Sequence, residues 1–223
     1  MKIEDIPLNF LINLVAGVVG ILIVLWIERQ RRPRISMKVG ERTSLPDDDP
    51  LGRACTWAHI AICNGKTPRW LSWVYDGDPA LACRAWISFH HAIDGHRLYS
   101  NEMVARWSEA PQPRVVTVPT EKGTAALLEN TYDTVDIPTG ECANIAPVCR
   151  PIGGDECYGW NNRSYVHSFK DPDWKLDKGR YIARIRVKTA GREFVDAFLI
   201  INDISYKEFR VEPIDEDIKR RLK

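Results

Sequence analysis

The pattern of apolar and polar positions changes character near residue 28. From Leu8 to Ile27, twenty consecutive residues (LNFLINLVAGVVGILIVLWI) carry no charge, and only Asn9 and Asn13 are strongly polar. At about 1.5 Å per residue a helix of that length measures about 30 Å, the thickness of a bilayer's hydrocarbon core. A buried helix of a soluble protein is rarely apolar on every face, so the pattern predicts a transmembrane helix over 8–27. A cleaved signal peptide is the rival reading. It would need a basic start, an apolar core of about 7–15 residues and a small-x-small cleavage site. Residues 1–7 (MKIEDIP) hold one Lys against two acids, and Trp26-Ile27-Glu28-Arg29 stands where small residues would be required. The segment is expected to be retained.

Beyond it the period becomes two. Pro33 disfavours helical geometry at Arg32, and Ile35, Met37 and Val39 then alternate with Ser36, Lys38 and Gly40, predicting a strand over 34–41. Residues 44–50 read as a loop. Residues 54–63 (ACTWAHIAIC) are apolar on both faces, as in a central strand, with a turn at Asn64-Gly65. Residues 80–89 alternate again, and shorter strands are expected over 103–107, 114–118, 132–137, 142–148 and 206–211. Residues 125–129 read as a single helical turn, 150–175 as a long loop or short edge strands, and the charged tail from 215 as a short helix. The strictest alternation lies in 180–188, followed by a Thr-Ala-Gly-Arg turn and an apolar strand over 193–201, which together predict a β-hairpin.

Many short strands, frequent turn signals and no long amphipathic helix predict a mainly β fold. The expected architecture is an antiparallel β-sandwich over 34–213, preceded by one N-terminal transmembrane α-helix. A short flank (1–7), a basic linker (28–33) and a charged tail (214–223) complete the chain. Leu176-Asp177-Lys178-Gly179-Arg180-Tyr181, with the alternating residues after it, resembles the corner before the penultimate strand of immunoglobulin-like and fibronectin-like sandwiches. That resemblance implies that the Tyr181 hydroxyl bonds back to the corner backbone, with 180–188 as strand F and 193–201 as strand G. No Cys stands two residues after Tyr181, so the disulfide of antibody domains is not implied. Sandwich folds carry many functions, and the likeness implies no ligand.

Charge refines where the chain sits. Lys and Arg total 31 against 30 Asp and Glu. The first 38 residues hold six basic and three acidic side chains, leaving 25 basic and 27 acidic beyond them, which argues against nucleic acid as a partner. Arg29, Arg31, Arg32, Arg34 and Lys38 crowd the C-terminal side of the span, with Trp26 at its interfacial end. The positive-inside tendency therefore predicts a single-pass protein whose soluble part faces the cytoplasm. The six cysteines include no C-x-x-C pair, and in that compartment they are expected to be reduced. Three disulfides are the alternative for an extracytoplasmic domain.

No motif for a phosphate-cradling loop, a zinc-protease helix or a nucleophile elbow is present, and the expectation is a non-enzymatic binding or interaction module. An extracytoplasmic binding domain and, less favoured, a membrane-tethered hydrolase are its rivals. No cofactor and no metal is expected: His90, His91 and His96 with Asp94 read as a His-rich turn rather than a ligand set. His59 reads as a hydrogen-bonded core residue. Two segments are candidate binding residues. One is the aromatic loop with Tyr158, Trp160, Asn161, Asn162, Tyr165 and Trp174, whose rings otherwise cap the sandwich. The other is the basic row Arg180, Arg184, Arg186 and Lys188, otherwise a solvated sheet face. The expected partners are the lipid bilayer and a protein; the oligomeric state is open.

Overall fold

The computed structural model describes residues 8–45, 54–70, 72–73, 76–120 and 123–215. The flank 1–7, most of the loop expected over 44–50 and the helix expected in the tail lie outside the described residues. Helix α1 (Leu8–Arg31) carries the apolar stretch and ends two residues before Pro33. It is long and apolar enough to cross a membrane, and the apolar window is not buried inside the protein.

The remainder is antiparallel β structure in two main sheets. The first has the order β1 (Ile35–Ser44), β2 (Cys55–Asn64), β8 (Cys142–Pro151), β9 (Cys157–Gly159), β10 (Lys175–Leu176). The second runs β13 (Arg210–Pro213), β12 (Arg192–Ile201), β11 (Arg180–Thr189), β3 (Ala80–His91), β4 (Met103–Val104), with β7 (Thr134–Ile137) also on β3. The alternation read from the sequence decides which residues meet. Ala58, Ile60, Ile62, Ile145 and Val148 of the first sheet pack against Ile87, Phe89, Ala183, Ile185, Val187, Phe198 and Ile200 of the second in one buried cluster. A slip of one residue in any of these strands would turn its apolar set outward, so burial of the inner face fixes the register.

The expected hairpin is β11–β12, in unbroken register from Arg180↔Ile201 to Thr189↔Arg192. Gly191 (φ +80°) supplies the left-handed residue of its turn. The Tyr181 hydroxyl donates to Asp177 O at 3.0 Å, the bond that the corner resemblance implies. The edge of the first sheet differs from an antibody domain: the strand beside β8 is β9, which follows it in the chain.

Three expectations are corrected. Residues 125–129 are not a helical turn but part of β6 (Gly123–Glu129), which pairs with β5 (Arg114–Thr120) as a separate two-stranded ribbon. Of residues 103–107 only Met103 and Val104 form a strand. Trp107 crosses to the other sheet and bridges Ile145. The thiols are not all reduced: Cys63 and Cys142 stand opposite each other on β2 and β8 and form a disulfide. The direct cross-strand pairing brings together two cysteines 79 positions apart, a proximity that no local pattern reveals. Cys55, Cys83, Cys149 and Cys157 are buried thiols. Burial raises Cys83, and raises Cys149 and Cys157 strongly, so these sulfurs stay protonated and unreactive.

Candidate functional site

The aromatic loop is built around a capped 3-10 turn, Asn162–Tyr165. Asn161 Oδ1 accepts from Ser164 N at 3.0 Å, and Ser164 Oγ accepts from Asn161 N at 3.1 Å. This reciprocal pair satisfies two backbone donors in a buried place and sets the direction of the next side chain. The Asn162 amide donates to Asp133 Oδ1 at 2.9 Å, and its oxygen accepts from Arg106 at 2.8 Å. Arg106 is buried, donates also to Ala110 O and Pro111 O, and lies 5.1 Å over the Tyr165 ring. Asp133 accepts a second guanidinium, from Arg84 at 2.9 Å.

Trp174 comes from the neighbouring Pro172–Trp174 turn and packs edge-on against Tyr99 at 5.0 Å. Gly159 makes that placement possible. A Cβ on it would stand 2.8 Å from Trp174 Cβ and 2.6 Å from Met103 Sδ. Between these parts lies a cleft of about 420 Å³, whose wall includes Glu102, Asp133, Asn161, Asn162, Arg163 and Trp174. Amides, a guanidinium, two carboxylates and one indole converge there, a composition suited to a polar ligand with one flat apolar face.

The structure divides the candidate residues of the loop. Asn161, Asn162 and Trp174 line the cleft. Tyr158, Trp160 and Tyr165 pack instead on the outer face of the first sheet with Cys55, Cys149, Phe169 and Trp57. The Trp160 ring stands 4.8 Å from Phe169 and 5.3 Å from Trp57. Asn162 also begins an Asn-Arg-Ser sequon, but both ends of its amide are engaged in the network above.

The basic row lies on the outer face of the second sheet. Arg186 stacks 4.4 Å over Trp86 and pairs with Glu102 and, at 3.6 Å, with Glu193. Arg180 pairs with Asp203 at 2.7 Å. Arg184 is half-buried and Lys188 exposed. Glu102 both lines the cleft and holds Arg186, so the cleft and the basic row form one continuous surface. The juxtamembrane residues are elsewhere. Arg31 pairs with Glu28 and Asp78, the backbone N–H of Arg34 donates to Asn64, Arg29 and Arg32 are exposed, and Trp26 meets Trp70.

A second polar centre surrounds His59, which is not a core residue but points outward from β2. Both flanking strands bulge opposite it, β1 between Val39 and Arg42 and β8 between Val148 and Ile145. Such bulges re-aim side chains, and they leave no periodic signature in the sequence. The imidazole bridges Thr43 Oγ1 at 2.6 Å and Ser108 Oγ at 3.1 Å beside a cavity of about 280 Å³. Burial lowers the His59 pKa, partly opposed by the nearby Glu109 carboxylate, and burial likewise lowers His90. His90 Nδ1 donates to Gly95 O at 3.0 Å, and Asp94 caps the turn by accepting from His96 N at 2.9 Å. Among the described residues no three His, Cys, Asp or Glu side chains converge as metal ligands.

The lowered histidines have a measurable consequence. Below the ordinary histidine value of roughly 6.5 the unfolded chain takes up protons that the folded one refuses. Stability therefore falls as pH drops through that region and levels off once both folded-state histidines are protonated. His59→Gln should flatten part of this slope in denaturant unfolding measured between pH 7.5 and 5. An unchanged slope would contradict the desolvated setting of the ring.

No protein-family model matches the chain. No curated protein matches it either. Among solved structures, a family 123 glycoside hydrolase from Clostridium perfringens, described for glycolipid glycan hydrolysis, is similar at a TM-score of 0.33 and 11% identity. The match covers 81% of this chain and 27% of that one. A likeness of that degree carries nothing across.

Proposed function

We propose that this chain is a single-pass, membrane-anchored β-sandwich that works as a non-enzymatic binding module for a protein partner. The recognition surface is the cleft at Asn162 and Trp174 together with the adjoining basic face. The observation that carries this reading is the Arg186–Glu102 pair, which joins the two into one surface. Arg184, Arg186 and Lys188 favour a partner that presents carboxylates, and the Trp174 indole supplies the large amphipathic contact common at recognition sites.

Hydrolysis fits the cleft less well. Its two carboxylates, Glu102 and Asp133, are both engaged by guanidinium groups, which leaves neither side chain directed at a ligand alone. The Cys63–Cys142 disulfide supports an oxidising compartment for the sandwich, against the positive-inside expectation. We place the domain on the extracytoplasmic side for that reason.

Photo-crosslinking in native membranes tests the module. A photoreactive residue at Val195 on the basic face, or at Arg163 on the cleft wall, should yield one shared adduct. The same residue at Ile93, fully exposed on the β3–β4 turn, should not. The Val195 and Arg163 adducts should also disappear with Arg186→Glu. Equal adducts at all three positions, or none at any, would remove this surface as the recognition site.

A further inference from the structure

We infer that the 68–73 turn is a second lipid contact, a pair of indoles that sinks into the membrane interface and fixes how the sandwich sits on the bilayer. This rests on reading α1 as a membrane anchor. Trp70 and Trp73 are 62% and 83% exposed, the most exposed aromatic side chains among the described residues. The turn that presents them is ordered by its own bonds. Ser72 N donates to Pro68 O at 3.1 Å, Ser72 Oγ to Arg69 O at 2.9 Å, and Trp73 Nε1 to Trp70 O at 2.7 Å. The sequence there, Trp-Leu-Ser-Trp-Val-Tyr over 70–75, has a single residue that is neither apolar nor aromatic. Left in water, two indoles this exposed cost more than in the interface, where an indole keeps its ring apolar and its N–H satisfied.

Position makes the membrane the occupant. The Trp70 ring lies 5.7 Å from that of Trp26, at the end of the apolar stretch, so the turn reaches back along α1 to the level where the helix leaves hydrocarbon. Trp26 is five residues before the end of α1, about 7–8 Å along the helix axis, which is the depth of the headgroup region on that side. The return of the chain is tied to the same helix: Asp78 N donates to Arg31 O at 2.7 Å, and the Asp78 carboxylate stands 3.3 Å from the Arg31 guanidinium. Charge agrees. Residues 28–34 and 66–78 hold six basic side chains (Arg29, Arg31, Arg32, Arg34, Lys66, Arg69) against Glu28, Asp76 and Asp78. That excess sets guanidinium and ammonium groups beside the indoles, where they can meet headgroup phosphates.

Depth-dependent quenching separates this contact from the anchor. Trp73→Cys places an accessible thiol on the turn, since the other cysteines are buried or in the disulfide. Ile93→Cys is the reference: β3 runs from Ala80 to His91, about 40 Å of strand, and carries Ile93 to the opposite end. Each full-length variant is labelled with a small fluorophore and reconstituted into vesicles of phosphatidylcholine and phosphatidylserine. The label at 73 should be quenched by nitroxide-bearing lipids and sheltered from aqueous iodide, and the label at 93 should show the reverse. Three results would overturn the inference. If the chain floats with vesicles but 73 behaves like 93, the anchor stands and the turn is not a lipid contact. A label sheltered from both quenchers would mean that protein covers the turn. A chain that does not float at all would take the anchor and the turn down together.

Discussion

Trp107→Ala should lower the unfolding free energy of the sandwich by about 3–5 kcal/mol, the usual cost of removing a fully buried tryptophan. Trp107 has no exposed surface and lies where the chain passes from one sheet to the other. Ala105 N donates to Ala85 O of β3, Trp107 bridges Ile145 of β8, and Ser108 N donates to Asn144 O. The indole thus fills the seam between the sheets, and its N–H donates to Asp133 O at 3.1 Å. An alanine would leave a cavity there and an unpaired carbonyl behind the cleft. Trp107→Phe separates the two contributions. It keeps most of the apolar volume and loses the hydrogen bond, at about 1–2 kcal/mol. For a domain of this size each kcal/mol is about 2–4 °C in Tm, so thermal unfolding in detergent resolves the two variants. A loss under about 1 kcal/mol for the alanine variant would place Trp107 outside the core, since surface changes stay near 0.5 kcal/mol.

The second large effect concerns the disulfide. Cys63 and Cys142 close a loop with a separation of 79 residues, and a crosslink of that kind stabilises by roughly 2–4 kcal/mol, chiefly by restricting the unfolded chain. Paired replacement by alanine, or reduction, should lower the denaturation midpoint accordingly while leaving the strand pairing intact. Mass spectrometry gives the count directly. The denatured, unreduced protein should take up four alkyl groups, and the reduced protein six. Six adducts without reductant would restore the reading of a fully reduced chain and, with it, the cytoplasmic orientation. The single replacement Cys63→Ala should cost nearly as much as the pair, because the loop opens either way.

The parts of the fold that showed in the sequence are those governed by local period. The hairpin expected over 180–188 and 193–201 occupies Arg180–Thr189 and Arg192–Ile201, because strict alternation and one glycine turn suffice to specify it. The apolar stretch after Leu8 became α1 for the same reason. Ala125-Ala126-Leu127-Leu128-Glu129 misled because its residues favour helix in isolation, and only pairing with residues 114–118 makes it a strand.

The cleft was half legible. The loop residues stand out by composition, but Asn162 bonds Asp133 from 29 positions away and Asp133 in turn bonds Arg84 from 49, a network no spacing encodes. His59 shows the limit most clearly. Its strand follows from the apolar run over 54–63, yet its surroundings depend on bulges in the two neighbouring strands and on Gly40, whose absent side chain leaves room against the His59 backbone.

Flotation of the full-length chain on a density gradient, with and without residues 8–31, is the most direct measurement of whether this body is held to lipid by its first helix. The intact protein should rise with the vesicles and stay with them through alkaline carbonate, while the shortened form stays at the bottom of the gradient. An intact protein left in the aqueous fraction, dispersed without detergent, would contradict the anchor.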